Sequence, residues 1–405
     1  MRLLSTVTLL LLTAALIPNA GAGEWRQFRG NDSTGVSTER NLPAKFEPGK
    51  SEAWKVDLPG KGLSGPIIVG GKVFLTASSG YRDDRLHLLC FDEATGAKEW
   101  ERQVYATGRT ICHNSMCMAT PQPVSDGQRV FATFSCNDVF CYDLDGHLLW
   151  YRGLGLDFPN ASNSLGMSSS PVVVENTLVL QLDTDTESFV AGLDAETGET
   201  RWKIDRPRSS VWASPAVFRT DDGKLLVILQ GKNGVVALRP QDGSTAWTFK
   251  QECSSIPSTT VADGLVLAPA KGLSALKPSS SSPAPALLWQ ENKLGPNNPT
   301  PIAYDGKVYV VKGSVLTCAE LQTGKVVWQM RVKGTSFYSS PLAGNGILYL
   351  IDEPGTIQTV DITGKKGEIT STLPLGESVW CTPALVNSAL YARSNKHLWK
   401  LVEAK

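Results

Sequence analysis

The stretch Leu193-Asp194-Ala195-Glu196-Thr197-Gly198-Glu199-Thr200-Arg201-Trp202 decides the fold. Asp and Thr side chains bond local backbone, and Gly supplies a positive φ, so the segment reads as a tight turn between two strands. The outgoing strand carries the Trp. The same cassette recurs as Asp92-Glu93-Ala94-Thr95-Gly96 before Trp100 and as Glu320-Leu321-Gln322-Thr323-Gly324 before Trp328. Turn-plus-Trp units repeated along one chain mean a repeat architecture.

Working outward, each unit opens with a small residue or Thr before Pro. The openings are Gly65-Pro66, Thr120-Pro121, Ser170-Pro171, Ser214-Pro215, Ile256-Pro257 (the one Ile exception), Thr300-Pro301, Ser340-Pro341 and Thr382-Pro383. Successive prolines lie 40 to 55 residues apart, the period of a four-stranded propeller blade. Within the units, Gly71-Lys72-Val73-Phe74-Leu75 and Gly306-Lys307-Val308-Tyr309-Val310 each place a β-rich run after a turn.

The fold expected is all-β: an eight-bladed β-propeller of four-stranded antiparallel blades. Trp100, Trp150, Trp202, Trp247, Trp289 and Trp328 fall on the outermost strand of six successive blades, as packing wedges between neighbours. The seventh unit has Glu368-Ile369 where Trp is expected. The last unit supplies about three strands, and Ser51 to Asp57, with Trp54, reads as an orphan outer strand. Pairing that N-terminal strand with the C-terminal blade closes the ring and removes its open edges. Ser279 to Pro285 reads as a low-complexity insertion in the fifth unit.

Ahead of the ring, Arg2 and the apolar run Leu3 to Ile17 read as a signal peptide, residues 1–22, cleaved near Ala22. No Cys sits at the cleavage site, so no lipid anchor is expected, and no later segment approaches a transmembrane span. Residues 23–50 read as an extended lead-in, and 51–405 as the propeller. The chain is expected to be exported, to the periplasm or beyond. With 39 basic and 39 acidic side chains among 405 residues, nothing favours a nucleic-acid partner.

On the Leu-x-x-x-Thr-Gly-x-x-x-Trp-type segments, best seen at 193–202, and the lead-in Trp25-Arg26-Gln27-Phe28-Arg29-Gly30, the chain resembles the PQQ-like β-propeller superfamily. The resemblance covers roughly residues 51–402. It implies one of two roles. Quinoprotein dehydrogenases use such a ring to hold PQQ and Ca²⁺, with an Asp as base and, in many, a disulfide of adjacent cysteines. This chain has no Cys-Cys pair, and neither a base nor Ca²⁺ ligands can be placed on it. BamB-type propellers of the outer-membrane assembly machinery are scaffolds of similar size.

Eight cysteines are present. Cys90, Cys141 and Cys318 share one repeat position, held elsewhere by Gly192 and Ala237, which indicates a small packing residue. For the cluster Cys112-His113-Asn114-Ser115-Met116-Cys117, export favours a Cys112–Cys117 disulfide. The soft donors Cys112, His113 and Cys117 leave Cu(I) or Zn²⁺ open as an alternative. The loop carrying them lies before the second unit, so Arg109, His113 and Asn114 are the candidate ligand contacts at the channel mouth.

No serine-hydrolase, Walker, dinucleotide or zinc-protease motif occurs, and Asp83-Asp84 and Asp221-Asp222 read as turn residues. No catalytic residue is assigned and no cofactor is expected. The expected function is a non-catalytic scaffold, a monomer that binds another envelope or extracellular protein. The alternatives are a PQQ- and Ca²⁺-dependent oxidoreductase and a carbohydrate- or small-ligand-binding propeller.

Overall fold

The computed structural model describes residues 23–162 and 164–404; the leader read at 1–22 lies outside them. Among the described residues the strands form eight sheets of four, each antiparallel, arranged as an eight-bladed propeller. Blade 1 runs through Ile67–Val69, Lys72–Ser79, Arg85–Asp92 and Lys98–Tyr105 from the inside outward. Blades 2 to 7 repeat that order. No described helix is long and apolar enough to cross a membrane.

Blade 8 closes the ring as the sequence requires. Its three inner strands are Ala384–Val386, Ala389–Arg393 and His397–Leu401, and its outermost strand is Glu52–Asp57. Trp54 pairs with Lys400, and Asp57 with His397. This seam joins the two ends of the propeller by backbone hydrogen bonds and gives blade 8 the same four strands as the others.

A repeated geometry links blade to blade. The Nε1–H of Trp54, Trp100, Trp150, Trp202 and Trp289 donates to a carbonyl oxygen in the turn of the next blade. The acceptors are Glu93, Leu144, Ala195, Pro240 and Leu321, at 2.9 to 3.1 Å. The turn Gly faces the same ring: a Cβ on Gly146 would meet Trp100 at 2.8 Å, and one on Gly243 would meet Trp202 at 2.7 Å. The Gly of the turn is therefore fixed twice, by its positive φ and by the indole lying on it.

The cysteine position follows from the same packing. Cys90 pairs across the sheet with Trp100, Cys141 with Trp150 and Cys318 with Trp328, as Gly192 does with Trp202. On the other side of these thiols stand Phe74, Phe131 and Tyr309, whose rings lie 5.7 to 6.0 Å from the Trp rings. Two aromatics flank the position, so only a small side chain fits between them.

Two blade openings shift by two residues from the sequence expectation. Val124 pairs with Phe131 as Ile67 pairs with Phe74, so blade 2 opens at Gln122-Pro123 and not at Thr120-Pro121. Thr260 pairs with Leu267 as Ile302 pairs with Tyr309, so blade 5 opens at Ser258-Thr259 and not at Ile256-Pro257. Pro121 precedes the true opening proline, Pro123, and Pro257 stands before an opening that carries Thr259 in place of proline; both mimic the signal one strand alternation early. The low-complexity segment lies in blade 5, between Leu273–Lys277 and Ala286–Glu291, in place of the Gly turn. Trp247 of blade 4 faces it across a cavity shared with Ser279 and Ser282, and its Nε1 has no partner.

The lead-in crosses one face of the ring. Trp25 makes a two-bond antiparallel bridge to Ile68 of blade 1, and Val36 a parallel bridge to Ala343 of blade 7. Between them Arg29, buried, donates to the Thr260 hydroxyl of blade 5 at 2.7 Å and to the Pro301 carbonyl of blade 6 at 2.8 Å. Blades 1 and 5 stand opposite each other, so this segment traverses the central channel and blocks it from that side.

Candidate functional site at the open channel mouth

The other end of the channel remains open and holds a cavity of about 470 Å³. That volume falls within the roughly 300–1,000 Å³ typical of ligand sites. Its wall is built by chain alternation. In every blade the first residue of the opening pair, and the residue two before it, both face the channel.

The lower tier is Gly65, Gln122, Ser170, Ser214, Ser258, Thr300, Ser340 and Thr382. Six consecutive links tie it into an arc. The backbone N–H of Gln122 donates to the Ser170 hydroxyl, Ser170 N–H to Ser214, Ser214 N–H to Ser258, Ser258 N–H to Thr300, Thr300 N–H to Ser340 and Ser340 N–H to Thr382, all at 2.9 to 3.1 Å. Gly65 has no hydroxyl, and Gln122 instead donates its amide to the Pro66 carbonyl at 3.1 Å. The arc therefore opens at blade 1. Each of the six hydroxyls is held as an acceptor, which leaves its own proton available to a ligand.

The upper tier is Leu63, Thr120, Ser168, Trp212, Ile256, Asn298, Tyr338 and Trp380. Tyr338 and Trp380 of adjacent blades stack with centroids 3.8 Å apart and planes 5° from parallel. Trp212 is fixed by donation of its Nε1–H to the Gly166 carbonyl at 2.9 Å. Ile256 and Leu165, both exposed, extend the apolar rim outward. The mouth thus has an aromatic and aliphatic rim above a hydroxyl wall, and no Asp, Glu, Lys or Arg lines it.

The candidate contacts proposed from sequence separate here. His113 lines the cavity, with its Nδ1 2.7 Å from the Ser115 hydroxyl. Asn114 lines a smaller adjoining cavity, and Arg109 is exposed and lines neither. The expected Cys112–Cys117 disulfide is not formed: all eight cysteines are free thiols. Cys117 is buried, its Sγ 3.7 Å from the Thr120 hydroxyl, while Cys112 sits half-buried in the loop. Among the described residues no three His, Cys, Asp or Glu side chains gather to hold a metal, so Cys112, His113 and Cys117 do not form such a set. Burial pushes the Cys112 thiol up to about 11. Sequence reading missed Trp212, Tyr338 and Trp380. The available signal was their place two residues before each opening hydroxyl.

The comparisons with known proteins agree with this architecture. The family model described as "Outer membrane protein assembly factor BamB" matches residues 27–182, 104–255 and 279–380. The chain is similar to the outer membrane protein assembly factor BamB of Moranella endobia (strain PCIT), 24% identical over 263 residues. That match spans 59% of this chain and 64% of the relative, just under two thirds of its length. Among solved structures, BamB from Moraxella catarrhalis superposes with a TM-score of 0.62 at 14% identity, covering 87% of this chain and 97% of that one. The quinohemoprotein alcohol dehydrogenase of Comamonas testosteroni superposes with a TM-score of 0.71 at 14% identity, covering 94% and 80%. A europium-containing methanol dehydrogenase gives 0.69 at 13% identity, covering 94% and 91%. These likenesses of structure carry the fold alone, while the family model spans most of the chain: it belongs to the PQQ-like propeller family described by the outer membrane protein assembly factor BamB.

Proposed function

We propose that this propeller is a non-catalytic binding scaffold of the cell envelope, and that it engages an envelope protein partner through the open channel mouth. The observation that carries the reading is the charge-free lining of that mouth, an aromatic rim over fixed hydroxyls. Exposed Leu165 and Ile256 line it, an apolar surface of the kind that marks interaction sites. The similarity to BamB of Moranella endobia supports the envelope setting.

Chemistry is poorly served by the same residues. PQQ carries three carboxylates, and its Ca²⁺ companion takes carboxylate and carbonyl oxygens. A site for the pair needs cations and acids, and the lining offers neither. The acid–base groups in the lining are His113 at the loop edge, Tyr338 stacked on Trp380, and Cys381, whose thiol burial pushes up to about 11. These residues do not fit the cofactor.

A photo-crosslinking residue at Ile256, on the rim, compared with one at Val327, on an outermost strand, tests the reading in cells. Adducts with a single envelope protein from position 256 and none from 327 are expected. Equal labelling from both positions, or none from 256, would contradict it.

A further inference from the structure

A second cavity of about 170 Å³ adjoins the channel mouth at the seam between blades 8 and 1. It has room for several waters, or one small oxyanion. Its wall includes Arg393, Lys61, Asn114, Ser115, Asn395 and Trp380 and no Asp or Glu. Lys61 is exposed, whereas Arg393 is 1% exposed.

Arg393 is tethered on one side only. Its Nε–H donates to the Ser394 carbonyl at 3.0 Å, and its Nη1 to the Ser64 carbonyl and hydroxyl and the Thr76 carbonyl, each at 3.1 Å. Its Nη2 has no partner. A buried guanidinium normally answers a carboxylate in a forked pair, because an uncompensated buried charge costs several kcal/mol. No carboxylate bridges to Arg393 among the described residues. Gly62 makes room for it, since a side chain there would collide with both Nη atoms. The wall of the same cavity carries further donors: the Asn114 and Asn395 amides and the Lys61 ammonium.

We infer that this seam cavity is a binding site for a single oxyanion group, a carboxylate or a phosphate, held by Arg393 and Lys61 beside the aromatic rim. The site lies next to the channel mouth but rests on its own observations, so it stands or falls apart from the partner reading. The ligand's uncharged remainder would leave past Trp380, which lines both cavities.

Acetate and inorganic phosphate are titrated into the purified chain at ionic strength held constant with sodium chloride, following tryptophan fluorescence and melting temperature. A saturable fluorescence change with a rise in melting temperature is expected for at least one anion. Acetate alone points to a carboxylate ligand, such as a chain terminus, and phosphate alone to a phosphorylated one. Trp380→Phe should remove the fluorescence change while the melting shift persists. Lys61→Glu, at an exposed side chain, should weaken binding by about tenfold or more with the unliganded melt unchanged. Arg393→Lys, which keeps the charge and loses the fork, should also weaken it. The inference is overturned if neither anion exceeds the chloride control, or if Lys61→Glu responds as the parent does.

Discussion

The indole of Trp150 in blade 2 lies on Gly198 in the turn of blade 3, close enough that a Cβ on Gly198 would stand 2.6 Å from Trp150 Cε3. The same indole donates to the Ala195 carbonyl at 3.0 Å. Blade-to-blade cohesion in this ring is thus a repeated ring-on-glycine contact with one hydrogen bond. Gly198→Ala meets both a positive φ of 77° and the ring, whereas Gly264, with φ 73°, has nothing within 4 Å. Gly264→Ala should cost about 1–2 kcal/mol from backbone strain, and Gly198→Ala about 1–3 kcal/mol beyond that from overpacking. Urea midpoints of the two variants check this; equal losses would contradict the contact.

Trp202 and Trp247 occupy equivalent outer-strand positions, but only Trp202 finds an acceptor, the Pro240 carbonyl at 2.9 Å. Trp202→Phe should therefore cost about 1 kcal/mol more than Trp247→Phe, the net worth of one buried hydrogen bond. The comparison holds ring size constant, and denaturation of the paired variants reads it directly.

Removal of residues 51–57 takes away the outermost strand of blade 8 and the Trp54 contact with Glu93. Loss of a buried Trp alone costs about 3–5 kcal/mol, so the melting temperature should fall by roughly 5 °C or more. An unchanged melt would mean that the ring closes in some other way.

Stability should fall in alkali. Free thiols ordinarily titrate near 9.0, and burial pushes Cys141 and Cys253 up to about 12 and Cys318 and Cys381 up to about 11. Above about pH 9 the unfolded chain has released protons that the folded chain retains, so unfolding gains as pH rises. Their stabilisation is complete below that value and is lost through pH 11 to 12. Urea midpoints that stay flat from pH 9 to 11 would contradict it.

The ring and its closure were legible in the sequence because their signals are local and repeated: Asp-x-x-Thr-Gly turns, outer-strand Trp residues and the orphan strand at 51–57. Register was harder. Pro121 and Pro257 sit one alternation from the true openings, and only strand pairing, such as Val124 with Phe131, separates real from false. The channel lining was half visible. Ser170, Ser214, Thr300, Ser340 and Thr382 were read as punctuation, and their common role emerges only when eight blades bring them side by side. Trp212, Tyr338 and Trp380 join the site from three separate blades, a proximity that no local pattern encodes. Arg393 gave no signal at all, since a buried unpaired guanidinium looks like any strand-end arginine in sequence.

The most direct test is a titration of the purified chain with PQQ and Ca²⁺, followed by tryptophan fluorescence and then by dye reduction with simple alcohols and sugars. With a channel mouth free of charged side chains, the expected result is no Ca²⁺-dependent quenching beyond what the seam cavity gives with acetate at equal carboxylate concentration, and no dye reduction. Stoichiometric quenching with cofactor-dependent turnover would contradict the scaffold reading and make the chain an oxidoreductase.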